Sequence, residues 1–353
     1  MDERETKPIN KEEVAMTLPE PEVPLQLYFK LMYDAGKTQL LKHAINFKVF
    51  NYLSKPISAE EVARKLDTKP ELTSHLLDML VVLEMLTKGD GKYLNTPLAE
   101  EYLMEGKPTY MGDMYTLMVD MWEGAIAQLP QILKSGFPEK AAGQAFSEDY
   151  WASLTNMNAR HQRAVWPNTA LPIIIELPEF SSFKRMLDLG GGGGIYTVAL
   201  VARHPTLKAV VFDQPAVVEP TKKIISEYEL QDRISFLAGN MIKDDFGKDY
   251  DLVWTSQTLN LVADKLESVF ERVYKSMNPG GVCVSQHAVV NRDKIWPRNA
   301  AWMFHSVAFA GQEMTLYETD ISDAMLKVGF RSVESRYVDD YWGMDRLDIA
   351  RKA

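Results

Sequence analysis

From residue 185 onward the apolar positions follow two alternating rhythms. Short, nearly continuous apolar runs lie at 185–189, 208–213, 234–239, 251–256 and 281–289. Between them, residues 195–204, 217–229 and 266–277 carry apolar positions at helical spacing. The first rhythm predicts buried strands and the second predicts helices packed on one face. Their alternation predicts an α/β fold with a parallel sheet and right-handed crossovers. Asn278-Pro279-Gly280-Gly281 is a strong stop for the third helix. The chain then adds a helix at 321–328 and a closing antiparallel hairpin from 332–337 and 347–351.

The N-terminal half reads differently. Residues 28–53 are apolar at helical spacing. Ser58-Ala59-Glu60-Glu61 is a capping box opening a helix at 62–66. Thr68-Lys69-Pro70-Glu71 opens a second at 72–86, with proline in its first turn. Gly89-Asp90-Gly91 then turns a hairpin that returns through 92–95. Helices followed by a hairpin form a winged-helix pattern. The helix that would enter a DNA groove, residues 70–86, has no Lys or Arg and carries Glu71, Asp78 and Glu84. Phosphate repels that charge, so nucleic acid is excluded as a partner. The chain divides into a flexible, charged tail at 1–24, a winged-helix unit at 25–105, a helical connector at 106–180 and the alternating domain at 181–353.

Composition narrows the setting. The 353 residues carry a formal net charge of -10. A single cysteine, Cys283, rules out an intramolecular disulfide and fits a reducing, cytoplasmic compartment. No apolar run reaches the roughly 18–20 residues of a membrane span. Histidines and the lone cysteine are too dispersed for a metal site, so none is expected.

The chemistry concentrates at Leu187-Asp188-Leu189-Gly190-Gly191-Gly192-Gly193-Gly194, between a strand and a helix. Glycines there let the backbone approach a ligand closely. The dinucleotide fingerprint G-x-G-x-x-G fails, because its third position is Ile195 or Tyr196. An acid two residues before the glycines, Asp188, would repel a pyrophosphate and suits an ammonium. Asp213 ends the next strand, about 20 residues on, where an acid accepts hydrogen bonds from ribose hydroxyls. Ribose on Asp213 and a cationic amino-acid end near Asp188, with Gly190 and Gly192 between them, describe S-adenosylmethionine (SAM).

From about residue 25 onward the chain resembles the small-molecule O-methyltransferases of the caffeate, acetylserotonin and antibiotic-tailoring type. Leu187-Asp188-Leu189-Gly190-Gly191-Gly192 is similar to their first SAM motif, and Phe212-Asp213-Gln214-Pro215 to their ribose motif. Ala238-Gly239-Asn240-Met241 is similar to their adenine motif, with Asn240 where Asp is usual. The resemblance implies a Rossmann-like class I SAM methyltransferase sheet behind an all-α winged-helix N-terminal domain, and a homodimer built through that domain. It implies cofactor contacts from Gly239, Asn240, Met241 and Ser256, besides those already named.

The departure lies at the base. The family's catalytic histidine segment corresponds to Thr258-Leu259-Asn260-Leu261-Val262, so Asn260 stands where the histidine would be. An amide takes no proton at neutral pH. The family's two acid positions correspond to His287 and Glu313. His287 with Glu313 is therefore the expected proton-accepting pair. Met111, Met114, Met118 and Met121 recur at 3-4-3 spacing with Trp122 alongside. They form either core packing or one wall of an acceptor pocket. Trp302 and Phe304 leave the same two alternatives open. Met118, Trp122, Met157 and His161 are the expected acceptor contacts. The expected activity is methylation of a small aromatic or cyclic metabolite, on oxygen first. Transfer to carbon or nitrogen, or a non-methylation reaction by a SAM-binding relative, are the alternatives.

Overall fold

The computed structural model describes residues 23–137, 147–309, 311–340 and 343–353. Nearly all of the tail expected at 1–24 lies outside them. Helix α1 (Gln26–Asn46) opens the N-terminal unit, and the helices α2 (Ala59–Leu66) and α3 (Pro70–Val82) follow. The capping box forms: Glu61 N–H donates to Ser58 Oγ at 3.3 Å, and Ser58 N–H donates to Glu61 Oε2 at 3.2 Å. Helix α3 stops short of the expected residue 86, because Glu84 adopts a left-handed φ of 61° and Leu86 begins a strand. The unit is not all-α. Strands β1 (Ile57–Ser58), β2 (Leu86–Gly89) and β3 (Lys92–Asn95) form a small antiparallel sheet in the order β1-β3-β2. Helix α4 (Pro97–Tyr102) closes it.

The connector consists of α5 (Gly112–Ala127), α6 (Leu129–Ser135), α7 (Glu148–Val165) and the short α8 (Leu171–Ile175). Lys42 of α1 pairs with Glu123 of α5 at 3.1 Å, and Arg160 of α7 pairs with Asp113 of α5. The connector is thereby tied to the N-terminal unit and to itself.

Among the described residues the C-terminal domain holds one seven-stranded sheet. Its strands are β4 (Arg185–Leu189), β5 (Lys208–Asp213), β6 (Ile234–Ala238), β7 (Tyr250–Ser256), β8 (Met277–His287), β9 (Ser332–Asp340) and β10 (Gly343–Arg351). The order is β6-β5-β4-β7-β8-β10-β9. From β6 to β8 neighbours run parallel, and β10 is antiparallel to both β8 and β9. Helices α9 (Ile195–Ala202), α10 (Pro215–Ser226), α11 (Leu266–Ser276), α12 (Arg298–Ala308) and α13 (Asp320–Lys327) complete it. Alternate strand residues feed opposite faces: Met186, Val211 and Trp254 enter one core, and Leu187, Phe212 and Val253 the other. Burial on both faces is why these strands read as continuous apolar runs.

The β4→β5→β6 path runs outward one way, and β7→β8 runs the other. The reversal lies beside β4, so a crevice opens at its carboxyl end, where open α/β sheets bind ligands. The glycine run follows β4 directly.

Candidate active site

The glycine loop is shaped by what presses on it. Gly190 has a φ of +73°, and a Cβ there would stand 2.5 Å from Thr258 Oγ1. Gly193 packs against helix α7, where an added Cβ would stand 2.6 Å from the Cα of Ala159. Only glycine lets the loop sit between the turn after β7 and the connector helix. Gln162 of α7 staples it: its Nε2 donates to Gly191 O at 3.2 Å, and its Oε1 accepts from Ile195 N–H at 3.1 Å. That N–H is among the first unpaired donors of α9, so Gln162 caps the helix from outside.

Asp213 faces this loop. Its Oδ2 accepts from Gly192 N–H at 2.8 Å and its Oδ1 from Gln214 N–H at 2.7 Å. Burial raises its pKa against the lowering effect of those two bonds. Each carboxylate oxygen keeps further acceptor capacity, as ribose hydroxyls require. The buried Gln214 Oε1 beside it has no partner among the described residues. Asp188 lies deeper, at 1 % exposure, beneath Gly191 and accepting from Thr197 Oγ1 at 2.6 Å. Burial pushes its pKa up to about 7, and the nearby Asp213 adds to the rise. Asp188 thus fastens the loop to α9.

Gly239 is buried against Phe212, whose ring would lie 2.9 Å from an added Cβ. Asn240 Oδ1 already accepts from Ile242 N–H at 2.8 Å in a local turn, leaving one lone pair for an adenine amine. Met241 and Ser256 are half-buried at the rim. These donors, acceptors and the glycine cradle fit SAM: Asp213 and Gln214 for the ribose, Asn240 and Met241 for the base, and Asp188 for the cationic end.

The expected base pair does not form. His287 is 1 % exposed and all of its ring nitrogens are used. Its Nε2 accepts from the backbone N–H groups of Thr258 at 3.1 Å and Leu259 at 3.0 Å. An acceptor Nε2 puts the proton on Nδ1, which donates to Ser285 Oγ at 2.9 Å. Burial drives the imidazole down to about 3. Glu313 is exposed and lines a separate small cavity with Lys294 and His305. His287 is a cap on the 3-10 turn Leu259–Lys265, which presents Asn260. Asn260 Oδ1 is buried and has no partner among the described residues. The His161 imidazole is held at about 4 by burial.

Residues of α5, α12 and β10, with Ala288, line a cavity of about 230 Å³. Trp122, Ala288, Ala300, Trp302, Met303 and Met344 give it apolar walls, and Asn299 and Asp345 add polar groups. Trp122 lines it, whereas Met118, Met157 and His161 are not among its lining residues. Phe304 packs into a core cluster instead. The sequence reading missed Gln162 and Asp345. Asp345 carried a signal: it shares the strand parity of the core residues Leu347 and Ile349, so its carboxylate had to point inward.

Comparison with known proteins agrees with this fold. The O-methyltransferase domain family matches residues 142–331, and the O-methyltransferase dimerisation domain matches 29–105. The chain is 29% identical over 276 residues to acetylserotonin O-methyltransferase of Bos taurus, covering 72% of this chain and 78% of that protein. It is 22% identical over 322 residues to the N,N-dimethyltransferase OxyT of Streptomyces rimosus, covering 90% and 93%. Its fold superposes on an O-methyltransferase family protein from Burkholderia thailandensis with a TM-score of 0.76 at 22% identity, covering 94% of this chain and 99% of that one. Among the described residues, no helix is long and apolar enough to cross a membrane.

Proposed function

The chain belongs to the O-methyltransferase family, and we propose that it methylates a small aromatic or cyclic acceptor whose accepting atom needs no base from the protein. One observation carries this reading. The imidazole at 287 spends its lone pair on two backbone donors, and the motif position of the family's base holds Asn260, whose buried amide oxygen has no partner among the described residues. When bound, SAM supplies a sulfonium-activated methyl group. The protein's part is alignment, which contributes on the order of 7–11 kcal/mol in favourable intramolecular models. Asp213, Gln214 and the glycine loop hold the donor side. Asn260 Oδ1 accepts from a donor group on the acceptor, and the apolar walls exclude water. A hydroxyl that ionises at neutral pH would enter with its proton already lost to solvent, so neither Asn260 nor His287 would need to accept one.

A second reading is transfer to nitrogen, the reaction that the name of the N,N-dimethyltransferase OxyT gives for that relative. The rate law separates an ionised acceptor from an enzyme base. Turnover of a simple phenol, pKa about 10, should rise with pH along the phenol's own ionisation, and a more acidic analogue should reach its plateau earlier. A common pKa for both acceptors would instead reveal a protein base.

The exposed apolar first half of α1 supports a homodimer through residues 25–105, with Leu27 and Leu31 at 67% and 63% exposure. The buried, lone Cys283 supports a reducing, cytoplasmic setting.

A further inference from the structure

We propose that Gln162 of α7 is a positioning residue for the methyl donor: it holds the glycine loop in the shape that binds SAM, so that the connector helix governs donor affinity. The proposal rests on the methyltransferase reading above and deepens it.

The need for such a residue begins in the sequence. Gly190 to Gly194 are five consecutive glycines, and Gly190, Gly192 and Gly194 take left-handed φ angles of 73°, 55° and 74°. Glycine loses more backbone freedom on ordering than any other residue, so this loop is held by its neighbours rather than by its own preferences. The donor domain fixes its start and middle. Gly190 N–H donates to Phe212 O at 2.9 Å, Gly192 N–H donates to Asp213 Oδ2 at 2.8 Å, and Thr221 Oγ1 donates to Gly192 O at 2.6 Å. Gln162 spans the remainder. Its bonds to Gly191 O and Ile195 N–H bracket the three glycines between them. The orientation of the amide is fixed, because a carbonyl can only accept and a backbone N–H can only donate. Gln162 Nε2 also stands over Gly192, 3.7 Å from where a Cβ would be. Gly192 is the residue whose N–H meets Asp213, the ribose acceptor.

Gln162 belongs to a different unit from the loop it holds. Other side chains seat α7 on the donor domain: Glu148 Oε1 accepts from Ala216 N–H of α10 at 2.7 Å, and Arg163 donates to Tyr228 OH at 2.6 Å and to Glu227 at 3.1 Å. Of these ties, the one from Gln162 ends on the loop. The buried amides of the sheet do a different task. Gln286 Nε2 and Gln257 Nε2 donate to Asp345 Oδ2 at 2.9 and 2.6 Å, fastening β8, the end of β7 and β10 to one another. Arg160, two residues before Gln162, pairs with Asp113 of α5, the helix whose Trp122 lines the cavity. The helix that steadies the donor loop is thus the one that carries the cavity wall. A loop released from α7 spends part of its time in shapes that do not bind the donor, and apparent affinity falls by that fraction.

The test titrates the full-length protein with S-adenosylhomocysteine by calorimetry. Gln162→Met keeps the length of the side chain and removes both hydrogen bonds, so binding should weaken roughly tenfold or more, as expected for two neutral bonds. Arg163→Met removes a tie of the same helix without touching the loop, and should bind nearly as the unmodified protein does. Gln162→Glu gives a signature that packing alone would not. Its neutral acid can accept from Ile195 N–H and donate its O–H to Gly191 O, whereas its carboxylate sets a second acceptor against that carbonyl. Its affinity relative to the unmodified protein should therefore recover as pH falls from about 8 to about 5. Taking the ratio at each pH cancels Asp188, Asp213, His161 and the Arg163 and Glu227 pair, which both proteins share. Unchanged affinity in Gln162→Met overturns the proposal. So does an equal loss in Arg163→Met, or a ratio for Gln162→Glu that does not move with pH. Gln162→Glu decides the matter if Gln162→Met fails to fold. Absence of binding by the unmodified protein overturns the donor reading and this proposal together, whereas equal binding by all variants overturns this proposal alone.

Discussion

Replacing His287 separates a cap from a base. His287→Ala leaves the N–H groups of Thr258 and Leu259 buried without acceptors. Two orphaned donors at about 1–3 kcal/mol each give a loss of about 2–6 kcal/mol. That is a large share of a typical stability of about 5–15 kcal/mol. His287→Gln is the sharper variant, because its Oε1 can restore an acceptor without restoring basicity. Urea unfolding should show His287→Ala strongly destabilised and His287→Gln recovering much of the loss. Turnover should track stability, with near-normal rates for folded His287→Gln. If His287→Gln unfolds like the parent, binds SAM normally and still loses about 10²-fold or more in kcat, the imidazole is a base after all. A pH titration gives an independent check. The imidazole sits at about 3 in the fold and about 6.5 unfolded, so the unfolded chain binds the extra proton. Its contribution is complete above about 6.5 and is lost as pH falls toward 3, by at most about 1.4 kcal/mol per pH unit. His287→Gln should flatten that part of the curve.

Three further outcomes follow from the same geometry. Asp213→Ala removes the acceptor facing Gly192 and should weaken SAM by a few kcal/mol, about 1.5–3 for each bond to the charged group; unchanged calorimetric affinity would exclude Asp213 from the donor site. Asp188 is held near 7 in the free protein, and a cationic ligand favours its ionised form, so SAM should bind tighter as pH rises from 6 to 8 with proton release. Calorimetry in buffers of different ionisation enthalpy that detects no proton release would remove Asp188 from that role. Leu27→Glu with Leu31→Glu charges the exposed face of α1 and should yield monomers; light scattering that shows the parent protein itself monomeric at micromolar concentration would end the dimer proposal.

The parts of the site legible in the sequence are those held by local rules. The Asp188–Gly192 loop announces itself because only glycine tolerates both its φ angles and its neighbours, and Asp213 because strand ends lie at a fixed chain distance from it. Asn260 could be placed by motif, and its lack of basicity follows from its chemistry alone. The pairing of His287 with Glu313 was misjudged for a specific reason. Residue type and motif position say nothing about which donors reach an imidazole, and here two backbone N–H groups from another segment reach it first.

Periodicity, capping and turn residues by themselves determined the order of strands and helices, the α/β class and the site of the donor loop, since each depends on neighbours within a few residues. The tertiary structure alone decided the roles of His287, Gln162, Gln257 and Asp345. Apart from Ser285 beside His287, the partners that decide these roles lie 28 to 88 residues away in the chain, brought together by the crossovers of the sheet. A side chain's protonation and hydrogen-bonding role is set by burial and by those partners, and neither exists until the sheet has closed around them.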